Sequence, residues 1–319
     1  MDSTCQTIQD IETPALALRA CQVEEHCQAL RSIRGLSFWW YLGQSRWFGQ
    51  FSLPFKDASG AWWYQVKPGL SWAADFYAAL NPLQVRIPLF RSFFGYQHVV
   101  ESENHANSHF VINTIKDLSA YGVRSIDAKR RNSIRKGFRS CTLEVLDAFD
   151  RETFHQCRMA WKDLTDRTGW KHAVEEVEFN RTWKLLLQCP GVSIIVGREK
   201  TSGQVAGFLV TKIIGNTAYV DTIASRTDFL KYNVNDAVMY AFLMNSQLLP
   251  GVSMAHYAIK SYDEKLEQFK TGLGFVPEAF PACTILRGPT GSILKALYPE
   301  KHRRMFGIFQ PEPSKPKVA

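Results

Sequence analysis

The 319-residue sequence contains no apolar run approaching the roughly 20 residues that span a bilayer. Its start, Met1-Asp2-Ser3-Thr4-Cys5, lacks the basic opening and apolar core of a secretory leader, so the expected location is the cytoplasm. Cysteine is sparse: seven residues, an odd number, with no Cys-x-x-Cys pair. That suits packing thiols in a reducing compartment better than a disulfide framework or a thiolate zinc site. There is no Gly-x-Ser-x-Gly elbow and no phosphate loop, and Cys283 has no histidine partner in the sequence, so hydrolase and kinase chemistry lack support. His105 and His109 stand four apart, but among Asn104, Asn107 and Ser108 they read as loop residues with no third ligand, and no metal is expected.

Hydrophobic residues make up 45% of the chain, enough for one large core or two ordinary ones. Aromatic residues crowd its first third: Trp39, Trp40, Tyr41, Trp47 and Phe48, then Trp62, Trp63, Tyr64 and Trp72, which points to a β-rich core. Short strands are expected at 85–90, 98–103, 109–115 and 142–146, a short helix at 74–80, and amphipathic helices at 150–168 and 174–187. The net charge of +8 is uneven: between Arg124 and Arg139, seven lysines and arginines face one carboxylate, Asp127. This stretch reads as a helix over 125–139 with Ile126, Ile134 and Phe138 inward and Arg130 at the edge of the buried stripe, where an arginine answers an anion.

The most regular stretch is 192–277. Three strands, at 192–196, 204–214 and 217–225, are punctuated by the hairpin pair Gly215-Asn216. A helix carried by Val234, Val238, Ala241, Phe242 and Leu248 follows, then a strand at 252–259. Ser261-Tyr262-Asp263-Glu264 reads as a capping box for a short helix that Gly272 or Gly274 ends.

This order of strands and helices resembles the Gcn5-related N-acetyltransferase (GNAT) superfamily. The strand at 109–115, the helix Arg130-Arg131-Asn132-Ser133-Ile134-Arg135-Lys136, and Phe269-Lys270 ahead of Gly272-Leu273-Gly274-Phe275 resemble its Fem-type branch. The resemblance implies an α+β fold of two GNAT-like halves in tandem with mixed central sheets, the first half degenerate. The expected division is a polar segment at 1–30, an aromatic-rich half at 31–115, an acyltransferase half at 116–308 and a tail at 309–319. It also implies transfer of an acyl or aminoacyl group from acyl-CoA or aminoacyl-tRNA, bound only as a substrate, to a small or peptide-like amine, forming an amide.

Carried over residue by residue, the resemblance gives Lys270 stabilisation of the tetrahedral intermediate and gives Phe269 the shaping of the site. The donor would lie between the strands at 217–225 and 252–259, along Thr222 and Ile223, with Arg226, Lys231 and Arg130 as phosphate contacts. Asp221 reads either as a base for the attacking amine or as a structural carboxylate; His256 is a second polar candidate, and Tyr262 can protonate the leaving group. The turn Arg226–Asn233 holds no glycine, although glycines let helix-opening amides approach a pyrophosphate, so the donor stays open between CoA and a charged tRNA. The competing readings are a nucleic-acid-binding protein that uses the 124–139 helix, tRNA included, and a catalytically silent scaffold.

Overall fold

The computed structural model describes residues 11–32, 54–67, 69–169 and 175–308. Its elements, in chain order, are α1 (Val23–Ser32), β1 (Phe55–Lys56), β2 (Trp62–Lys67), β3 (Leu70–Ala73), β4 (Gly95–Val99), β5 (Ser108–Ile115), α2 (Ala128–Ser140), β6 (Cys141–Val145), α3 (Arg151–Thr168), α4 (Glu176–Leu186), β7 (Val192–Glu199), β8 (Val205–Ile214), β9 (Thr217–Ser225), α5 (Val234–Ser246), β10 (Met254–Ile259), α6 (Glu264–Gly272), β11 (Val276–Leu286), α7 (Thr290–Leu297) and α8 (Pro299–Met305). The class is α+β, as expected. Trp39, Trp40, Tyr41, Trp47 and Phe48 and the 309–319 tail lie outside the described residues.

Two compact units emerge, and the chain passes between them three times, at Pro54–Phe55, within β5 and within β11. The first holds the described residues up to Pro54 together with Ile112–Pro277; the second holds Phe55–Val111 and the described residues from Glu278 onward. The sequence assigns 278–308 to the C-terminal half. In the structure β11 instead pairs antiparallel with β4, from Ala282↔Val99 to Leu286↔Gly95, which ties that segment to the second unit. Two local expectations also change. Residues 85–90 form no strand, because Pro88 removes a ladder donor and a 3-10 turn follows at Leu89–Arg91. Residues 74–80 form turns, in which Asp75 accepts from the Tyr77 N–H.

In the first unit the strand order is β5-β10-β9-β8-β7-β6. β6 to β9 form an antiparallel meander, while β9 and β10 run parallel. α5 is buried nearly all round, with Val238, Met239, Phe242 and Leu243 inaccessible, so it is a core helix and not a surface one. α2 lies across it at a glycine. A Cβ on Gly137 would stand 2.6 Å from the Ala237 Cβ and 2.9 Å from the Asn233 carbonyl oxygen, so only hydrogen lets the two backbones approach this closely. The sequence reads residues 1–30 as a polar segment, yet Ile11, Cys21, Cys27 and Leu30 are buried. The Cys21 N–H donates to the Ile213 carbonyl (3.1 Å) and its carbonyl accepts from the Gly215 N–H (2.8 Å). The ring of His26, also buried, meets the Pro190 carbonyl at 2.9 Å through Nδ1.

Candidate active site

The site begins with a fault in the ladder. β9 pairs with β8 at Thr222↔Val210 and next at Val220↔Thr211, which leaves Asp221 as an extra residue on β9. Such a bulge bends its strand and sharpens the local twist. β9 and β10 are in register at Met254↔Thr217, Ala255↔Ala218 and His256↔Tyr219, and no further pair joins them among the described residues. β10 has its own irregularity on the far side: it pairs with β5 at His256↔Thr114 and then at Ile259↔Ile112, with Ala258 at φ 56. A left-handed alanine is uncommon and marks a strand turned from its regular path. The two strands therefore part after His256, and Thr222 and Ile223 lie along the parted edge of β9.

A polar cluster occupies this point. Lys212 of β8 brings its Nζ to 3.7 Å from Asp221 Oδ1 and to 5.2 Å from the centre of the Tyr219 ring, and Tyr219 in turn lies 5.0 Å from His256, centroid to centroid. Burial pushes the Asp221 carboxyl up to about 6 against the opposing pull of Lys212, and its Oδ2 has no hydrogen-bond partner among the described residues. Burial, reinforced by Lys212 and Lys270, drives His256 down to about 3. A neutral imidazole of such low basicity is poorly suited to take a proton near neutral pH; it can position a neighbour by hydrogen bonding.

α6 supplies the second cluster. Its N-cap is Asp263, which accepts from the Lys265 and Leu266 N–H groups; this replaces the capping box expected from Ser261 to Glu264. Glu267 reaches back instead, and its Oε1 accepts from the Ser261 N–H (2.9 Å), from Asn113 Nδ2 (3.4 Å) and from Lys270 Nζ (2.8 Å). Lys270 is 1% exposed, and its Nζ lies 5.1 Å from the centre of the Tyr257 ring. The Phe269 ring packs edge-on against Tyr257. Gly274, at φ +91, turns the chain out of the helix where an L side chain is strained. Glu267 Oε2 and Asn113 Oδ1 are buried without a hydrogen-bond partner among the described residues.

The remaining expected residues make other contacts. Arg130 Nη1 donates to Asp236 Oδ1 at 2.7 Å, and its guanidinium lies 4.7 Å from the centre of the Phe269 ring. The anion it answers is thus an internal carboxylate, and its expected role as a phosphate contact gives way to a bond between α2 and α5. Asp236 sits in the first turn of α5. A protein carboxylate therefore holds the helix terminus that would otherwise attract a phosphate. Arg226 donates to Gln204 Oε1 (3.0 Å), Lys231 lies over the Tyr232 ring, and Tyr262 is exposed just before α6.

Sequence reasoning missed Lys212 and Glu267. A lone cation inside the apolar run of β8 was the available signal, because a buried lysine requires a partner. The outer face of α2 contributes Asn132, Arg135, Phe138 and Arg139 to a cavity of about 590 Å³, completed by Ile11, Glu12 and Lys200.

Neither a protein-family model nor a curated protein sequence matches the chain. Solved structures do. FemX aligns over 90% of this chain and 100% of its own length, at 9% identity and a TM-score of 0.54. The C-terminal domain (DUF2156) of a proposed lysylphosphatidylglycerol synthetase from Agrobacterium fabrum aligns over 91% and 99%, at 11% identity and a TM-score of 0.52. L-PGS from Bacillus licheniformis aligns over 88% and 96%, at 14% identity and a TM-score of 0.50. At these identities the likeness is one of fold.

Proposed function

From an α+β, tandem GNAT-like fold of the Fem kind, we propose that the chain is an acyltransferase forming an amide between an aminoacyl ester donor and an amine acceptor. The observation that carries this reading is Asp221 Oδ2, a buried oxygen without a hydrogen-bond partner among the described residues, where β9 and β10 part and with Lys212 beside it; the α6 cluster adds two more such oxygens, Asn113 Oδ1 and Glu267 Oε2, with the buried Lys270. Oxygen acceptors suit an N–H-rich amine, and lysines suit an oxyanion.

In the reaction the amine nitrogen attacks the donor carbonyl carbon, a C–N bond forms, and the carbonyl oxygen becomes an oxyanion that Lys270 stabilises. Asp221, ionised above about pH 6, takes the ammonium proton. The C–O bond to the leaving group then breaks, and Tyr262 protonates the departing oxygen. Phe269 and Tyr257 form the wall behind Lys270.

Two features favour an ester of a polyanion over a CoA thioester as donor. Asp236 fills the first turn of α5, and Arg226–Asn233 holds no glycine. The α2 cavity, with Arg135, Arg139 and Lys200, offers phosphate contacts for a charged tRNA. Supplied in turn with labelled aminoacyl-tRNA and labelled acyl-CoA, the protein is expected to build an amide from the first. Lys270→Met keeps most of the side-chain volume and is expected to cut kcat by about 10²–10³-fold, the effect of losing one oxyanion contact. Transfer at the wild-type rate by a folded Lys270→Met protein would sink the assignment, and a product built from acyl-CoA alone would move the donor to CoA.

A further inference from the structure

The second unit carries an apolar surface that acyl transfer does not use. Leu89 and Phe90 are 64% and 66% exposed, and Phe93 and Phe94 are 42% and 46% exposed. The Phe94 carbonyl accepts from the Arg287 N–H at 3.0 Å, which joins this loop to the end of β11, from which the chain enters α7. In α7 and just after it, Ile293, Leu297 and Tyr298 are 50%, 66% and 52% exposed, and neither α7 nor α8 has a single buried residue. A helix of 8 residues with no buried face is unstable alone in water. Exposed large side chains grouped in this way mark a surface that meets something apolar.

Charge selects the partner. The stretches 83–94 and 285–305 hold seven arginines and lysines against one carboxylate, Glu300. Cations sit beside the rings themselves: Lys301 Nζ lies 4.6 Å from the centre of the Tyr298 ring, and the Arg91 guanidinium 5.2 Å from that of Phe90. A second copy of this surface would set like charges against each other. Aromatic and leucine side chains mixed with Lys and Arg instead suit the interface of an anionic bilayer, where rings sink to headgroup depth and cations pair with phosphates. No helix among the described residues is long and apolar enough to cross a membrane, which fits a protein that lies on the surface. We propose that the second unit seats on an anionic lipid bilayer through the 89–94 loop and α7. This does not depend on the acyl-transfer reading.

The test is flotation of the full chain with vesicles of phosphatidylcholine mixed with phosphatidylglycerol, against vesicles of phosphatidylcholine alone. The expected result is binding to the mixed vesicles only, weakening as salt rises. Phe93→Ser with Phe94→Ser, or Ile293→Ser with Leu297→Ser, is expected to lower the partition constant by about tenfold or more, and Lys301→Glu with Arg303→Glu by a similar factor. The apolar side chains and Lys301 are exposed and Arg303 is half-buried, and circular dichroism checks that the fold persists. Absence of flotation at low salt overturns the proposal, as does binding that the apolar variants leave unchanged but inorganic phosphate abolishes, which would make the surface a simple phosphate site. Apolar variants that dissociate a dimer in sedimentation, with no effect on flotation, would assign the surface to a second copy.

Discussion

Asp221 is placed where β9 carries one residue more than its neighbour, so its carboxyl belongs neither to the strand's regular alternation nor to solvent. Desolvation raises its pKa to about 6, close enough to neutrality for an effective base. If it takes the amine proton, turnover rises with pH through about 6 and levels off above it. Asp221→Asn is expected to lower kcat by about 10²–10⁴-fold and to abolish that limb, read from a pH–rate profile at saturating substrate. A limb that persists in the variant would transfer the base to another group. The sequence makes Asp221 conspicuous as a carboxylate inside an apolar strand. It could not reveal Arg130's partner, because Asp236 lies 106 residues away and the pair forms only when α2 crosses α5.

At the scale of elements, α1 shows what local pattern hides. Its polar composition reads as solvent-exposed, yet backbone bonds to Ile213 and Gly215 and a buried histidine fix its N-terminal approach against the first unit. Burial drives His26 down to about 4 despite its bond to Pro190. Its folded-state pKa lies below the unfolded value of 6.5, so this contribution to stability is complete above pH 6.5 and is lost as pH falls toward 4. The loss amounts to roughly 3 kcal/mol. Urea titrations at the two pH values, in which His256 and Asp221 contribute equally to both proteins, are expected to show a drop in His26→Gln smaller than the wild-type drop by about that amount; equal drops would place the titration elsewhere. The strands and helices of 192–277 were legible because apolar periodicity and turn residues are local signals. The bulges that part β9 from β10 were not, since a bulge is defined by two strands compared with each other.

At the scale of the whole molecule, the two-unit plan was legible only in outline. Composition and the resemblance indicate two halves, but a boundary drawn along the sequence cannot foresee that β11 leaves one unit and completes the other. The basic surplus likewise reads from sequence as one helix. In the structure α2 spends Arg130 and Arg131 on internal bonds, to Asp236 and to the Ile126 carbonyl, and further cations gather around α7 and α8.

The passage of the chain through β11 has a consequence for synthesis. A ribosome releases β1 to β4 long before the strand that pairs with β4, and the whole of 112–277 emerges in between. During that interval β4 has a bare edge, a template for pairing with other chains. A chain ended after Pro277 keeps every strand of the first unit's ladder and leaves that edge permanently open. Its expected behaviour is protease resistance over 112–277, rapid cleavage within 55–111 and aggregation on concentration, read by limited proteolysis and light scattering. Protection of 55–111 equal to that of the full chain would mean that the nascent second unit needs no late strand, and that birth order imposes no hazard on this fold.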